Sequence, residues 1–72
     1  MSPALPVVGG ADVIAALSKT GFVQVSQRGS HVKLRREGRT VIVPLHRELA
    51  PGTLRSILRQ AGLTAAEFIA LL

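Results

Sequence analysis

An α+β fold, with a helix, three antiparallel strands, a second helix and a short helical tail, follows from three features of this sequence. Apolar residues recur at helical spacing toward both ends of the chain and at every second position in the middle. Two glycine-containing turns punctuate the alternating stretch. A chain of 72 residues has room for one domain with a modest core.

Residues 1–11 read as a flexible lead-in, because Pro3, Pro6, Gly9 and Gly10 interrupt any regular period. The domain proper is expected over residues 12–72. Its first helix should begin near Asp12, with Val13, Ile14 and Leu17 as the apolar stripe and Gly21 as the left-handed residue that ends it. From residue 22 to 44 the period becomes two, broken at Arg28-Gly29-Ser30 and at Glu37-Gly38-Arg39, which predicts a three-strand meander. Val23 and Val25 are expected to point one way in the first strand. In the second, Val32 and Leu34 point to one face and His31, Lys33 and Arg35 to the other. Residues 40–43 are β-branched throughout, and Pro44 ends that strand.

After a link over residues 45–52, Thr53 is expected to cap a helix carrying Leu54, Ile57, Leu58 and Ala61 on one face and Arg55 and Arg59 on the other, closed by Gly62. Thr64 and Glu67 then have capping-box spacing ahead of Phe68, Ile69, Leu71 and Leu72, whose apolar side should pack back on the domain. Helices layered over one face of the sheet leave its other face open.

Nine Lys and Arg against four Asp and Glu give a formal charge of +5, which suggests a polyanionic partner. Six of the nine cations, Arg28, Lys33, Arg35, Arg36, Arg39 and Arg47, lie in the central stretch. With no cysteine there is no disulfide, zinc knuckle or thiol nucleophile, and no metal or cofactor is expected. The residues from Met1 to Pro6 lack the basic start of a secretory signal and nothing later is apolar enough to span a membrane, so a cytoplasmic protein is expected.

Few groups can do acid/base chemistry. His31 and His46 are the two histidines, and the four carboxylates do not pair at a useful spacing. No phosphate-binding glycine loop or nucleophile elbow is present. By itself His31 fits a plain outward-facing polar residue, but Gly29, Ser30, Lys33 and Arg35 surround it with a tight turn, a hydroxyl and two cations. RNA supplies its own nucleophile, the 2′-hydroxyl, so a base to take that proton and charge to steady the phosphate are the main requirements. His46, in the turn after Pro44, more simply bonds to loop backbone, while remaining the second acid/base candidate. Two other classes compete. One is an RNA-binding module that does not cut, and the other a DNA-binding helix pair presenting Arg55 and Arg59. Two Phe without Tyr or Trp argue against recognition by aromatic stacking.

Taken together, Asp12-Val13-Ile14 with Leu17, Gly21-Phe22, Gly29-Ser30-His31, Val43-Pro44 with His46, Gly52-Thr53-Leu54 with Ile57-Leu58, and Gln60-Ala61-Gly62 resemble the HicA toxin family of HicAB toxin–antitoxin systems. The resemblance runs from Asp12 to about Phe68. It implies a fold like the double-stranded-RNA-binding domain, a ribosome-independent mRNA interferase active in stress responses, and neutralisation by a HicB-type antitoxin. DNA would be met only through the antitoxin complex. The family's catalytic histidine falls on His31, and its second histidine on His46, which with Ser30 is an auxiliary catalytic candidate. Arg28, Gly29, Ser30, Lys33 and Arg35 are the expected RNA contacts. The lead-in from Pro3 to Gly10 is longer and more apolar than in the family, which bears on N-terminal contacts, including those with an antitoxin.

Overall fold

The computed structural model describes residues 4–72; residues 1–3, where the expected lead-in begins, lie outside the described residues. Its elements are α1 (Gly10–Ser18), β1 (Val23–Arg28), β2 (His31–Arg36), β3 (Arg39–Pro44), α2 (Pro51–Ala61) and α3 (Ala65–Leu71). The strands form one antiparallel sheet in the order β1-β2-β3. The α+β class and the helix, sheet, helix order are those the periodicities predict. No helix among the described residues is long and apolar enough to cross a membrane.

Alternation on β2 and β3 sends Val32, Leu34, Val41 and Val43 to one face, where they are fully buried with Val13, Ala16 and Leu17 of α1, Leu54, Ile57, Leu58 and Ala61 of α2, and Phe68 of α3. The tail packs less fully than its composition suggests. Phe68 is buried, but Ile69 and Leu72 are exposed, because a helix of this length can turn only one narrow stripe inward.

Both main helices begin earlier than their capping residues suggest. In α1 the cap is Gly9, and Asp12 sits one turn in, its carboxylate accepting the Gly9 N–H at 3.0 Å. For α2 the expected cap Thr53 is inside the first turn instead. The helix starts at Pro51, whose missing N–H would have had no helical partner and whose fixed φ already suits the first position. Gly21 and Gly62 take the left-handed conformation expected at the helix ends.

Residues 4–9 form no helix or strand, yet they are tied to the domain. Val8 joins the core, Leu5 packs against it, and the Leu49 N–H donates to the Val8 carbonyl at 2.8 Å. Gly10 lies hard against the end of β3: its N–H donates to the His46 carbonyl at 2.9 Å, and a Cβ there would run into the Pro44 carbonyl. This contact locks the start of α1 to the end of β3.

The first strand differs from its simple reading. All six residues of β1 are exposed, with Val23 at 62% and Val25 at 50%, so β1 adds nothing to the core. A bulge between Gln24 and Ser26 explains the arrangement. Phe22 and Arg28 are six residues apart, a separation that would put them on the same side of an unbroken strand. One extra residue reverses the parity. Phe22 is therefore buried while Arg28 stands opposite His31, and Val23 lies beside Arg35 rather than on an apolar face.

Helix propensity alone says that Gly10→Ala should stabilise α1 by about 1 kcal/mol. The collision with Pro44 reverses the sign, and the variant should lose about 1–3 kcal/mol in denaturant unfolding. At α3, the backbone N–H and then the side chain of Thr64 hold the Glu67 carboxyl below its ordinary value. A carboxylate depressed in the native state contributes stability above its unfolded pKa, and this is lost as pH falls through the native value. Glu67→Gln should thus lower Tm near neutrality and narrow its gap to wild type as pH falls below about 4.5.

Candidate nucleic-acid interface

Cα pairing lays out the open face of the sheet as three rows. Arg28 and His31, with the buried Pro44 at the end, form the first, Ser26, Lys33 and Ile42 the second, and Val23, Arg35 and Thr40 the third. Strands are about 4.8 Å apart and successive rows about 6.8 Å. His31 opens β2 directly after the two-residue Gly29-Ser30 turn, where Gly29 takes φ 54°. A positive φ at the first loop position suits the hairpin turns that match strand twist. The turn is braced on both sides: Gln27 Nε2 donates to the Gly29 carbonyl at 2.9 Å, and the Leu45 N–H to the Ser30 carbonyl at 2.7 Å.

A depression of about 600 Å³ lies on this face, lined by Ser26, Arg28, His31, Lys33 and Ile42. Of the residues singled out from the sequence it gathers Arg28, His31 and Lys33. Arg35 is one row further along the same face, and Ser30 is in the turn beside His31. His46 is exposed in the segment after β3, and it is its carbonyl, rather than its ring, that accepts the Gly10 N–H. Because Leu45 is tied to Ser30, His46 follows one residue later at the His31 end of the sheet.

Three of the six central cations do not belong to this face, and one of them, Arg47, lies in the segment after β3. Arg36 lies on the helix side, stacked 5.1 Å from the Phe22 ring centroid, with Nη1 donating to the Thr20 carbonyl at 2.6 Å. Arg39, paired opposite it, donates to the Gln60 carbonyl at 3.2 Å near the end of α2. These two hold helix ends, and Arg28, Lys33 and Arg35 make the open face positive. No carboxylate occupies any of its three rows. Asp12 and Glu67 sit in first helical turns, Glu37 in the turn at the far end of β2, and Glu48 in the segment after β3. Arg55 and Arg59 line a separate depression on the helix layer with Leu5, Leu58 and Leu63. Among the described residues no cluster of His, Asp and Glu could hold a metal ion.

Ser26 and Ile42 were not singled out from the sequence, though the signal was there. A two-residue turn at Gly29-Ser30 pairs Arg28 with His31 and hence Ser26 with Lys33. The Glu37-Gly38 turn likewise pairs Arg36 with Arg39 and hence Lys33 with Ile42.

The arrangement offers one titratable imidazole beside three fixed cations on an exposed surface, which suits the binding and turnover of a phosphodiester. No curated protein matches the chain. A family model described as the HicA toxin of bacterial toxin–antitoxin systems matches residues 10–63. That span takes in α1, the whole sheet with all three rows of its open face, and α2, and so the chain belongs to the HicA toxin family.

Proposed function

We propose that the protein is the toxin of a toxin–antitoxin pair and acts in the cytoplasm as a metal-independent endoribonuclease on mRNA, with His31 as its catalytic residue. The observation that carries this reading is the first row of the open face, where His31 stands directly opposite Arg28, with Lys33 in the next row and no carboxylate among them. In the proposed step the His31 imidazole takes the proton of a ribose 2′-hydroxyl. The 2′-oxygen bonds to the adjacent phosphorus and the bond from phosphorus to the 5′-oxygen breaks. A protonated group then gives its proton to that oxygen, leaving a 2′,3′-cyclic phosphate and a 5′-hydroxyl end. Arg28 and Lys33 stabilise the charge on the crowded phosphate. Ser30 and His46, at the same end of the sheet, are the candidates for the proton donor. Gly29 lets the substrate backbone approach the turn, and Arg35 extends the track for the next phosphate.

A HicB-type antitoxin is the proposed protein partner, covering the face that bears His31, Lys33 and Arg35. An acidic surface is drawn to the same cations that hold RNA, and contact with DNA would come only through that complex. In hydrogen exchange on the complex, β2 and the Gly29-Ser30 turn should gain protection. Protection confined to α2 and α3 would overturn the proposed site.

The activity is tested with a labelled RNA in EDTA. Wild type should cut it to cyclic-phosphate ends, and His31→Ala should lose about 10²- to 10⁴-fold in rate while keeping Tm and RNA affinity. Retention of RNA without cleavage by wild type would instead identify a binding module. Replacing Lys33 and Arg35 together by Ala should weaken binding and reduce the slope of log affinity against log salt by about 0.7 for each phosphate no longer neutralised. The same double change at Arg55 and Arg59 should leave the slope near wild type, and a larger effect there would move the RNA to the helix layer.

A further inference from the structure

Among the described residues, Ile42 is the one apolar side chain lining the depression that holds His31. Its neighbours on β3, Val41 and Val43, are fully buried, whereas Ile42 faces the other way and is 39% exposed. A single exposed aliphatic residue is ordinary on a protein surface. The position of this one is not. Ile42 stands directly opposite Lys33, with Ser26 on the far side of Lys33, one row from Arg28 and His31. The second row therefore sets a fixed positive charge beside a small apolar surface. A nucleotide has the same two parts, an anionic phosphate and a base with an apolar face.

Resting on the ribonuclease reading above, we propose that Ile42 is a specificity-determining residue that packs against the face of a nucleobase flanking the scissile phosphate. The row spacing supports the match. His31 and Lys33 are two residues apart on one strand, about 6.8 Å, so a phosphate at His31 leaves the adjoining nucleotide over the second row. There Lys33 meets its phosphate and Ile42 its base. No Phe, Tyr or Trp lies on any of the three rows, and His31 is given to the scissile phosphate, so the aliphatic side chain takes the place that a stacking ring has in other RNA-binding sheets. Inside a duplex both faces of a base are covered by its neighbours, so the contact requires an unpaired nucleotide.

The test uses a single-stranded oligoribonucleotide with one mapped cut site, and matched versions with a ribose abasic residue at either nucleotide flanking the cut. With the intact RNA, Ile42→Ala should raise KM about tenfold while kcat stays within about threefold of wild type. Ile42→Phe should restore or lower KM, which a merely structural role for the side chain would not allow. An abasic residue at one flanking position should cost wild type a similar factor in KM and cost Ile42→Ala nothing further. Unchanged KM in Ile42→Ala, or equal abasic penalties in both proteins at both positions, overturns the assignment while leaving the nuclease reading intact. Failure of wild type to cut the intact RNA overturns the nuclease reading itself.

Discussion

The structure depends on a sheet that is buried on one side only. Val32, Leu34, Val41 and Val43 supply a continuous apolar surface on two strands, and the three helices cover that surface. Among the described residues no further element covers the opposite face. Strand alternation then does the rest: each core residue on β2 has a neighbour that must face outward, and those neighbours are His31, Lys33 and Arg35. Burial of Leu34 and exposure of the cations are two results of the same pleat. A one-residue slip of β2 would lose the core and the basic face together.

The ionic groups are divided between holding the fold and charging the open face. Arg36, Arg39 and Lys19 donate to carbonyls at or just beyond the ends of helices, where backbone acceptors lack helical partners. Asp12 and Glu67 perform the corresponding task at helix starts, each accepting a backbone N–H three residues earlier in the chain. With these carboxylates drawn to the helices, nothing on the open face neutralises Arg28, Lys33 and Arg35. The positive field there arises as much from where the acids are as from where the bases are.

The His31 end of the sheet is also where three separate elements are tied together. Gly10 against Pro44, the Gly10 N–H on the His46 carbonyl and the Leu45 N–H on the Ser30 carbonyl join the start of α1, the end of β3 and the β1–β2 turn in one small region. The role proposed for His31 needs a backbone that does not drift, and these bonds provide one without burying the side chain itself. The far end, at Glu37-Gly38, is tied instead through side chains, the flanking Arg36 and Arg39 donating to the Thr20 and Gln60 carbonyls.

The sequence by itself determined the class of fold, the three strands and their turns, and the outward placement of His31, Lys33 and Arg35, because helical and strand periods and two-residue turns are local signals carried by neighbouring residues. The capping box at Thr64 and Glu67 and the closing glycines were legible for the same reason. Only the tertiary structure decided that Gly10 and Pro51, not Asp12 and Thr53, open the main helices, since the Gly10 contact lies with a segment more than thirty residues away and Pro51 competes with a better side-chain cap. It also decided that Arg36 and Arg39 leave the basic face, and that a bulge turns Val23 toward Arg35 while Phe22 stays buried. The Gly10 contact, the Arg39 bond and the bulge depend on which strand or helix end lies across the fold, and a period read along one segment carries no information about its partner.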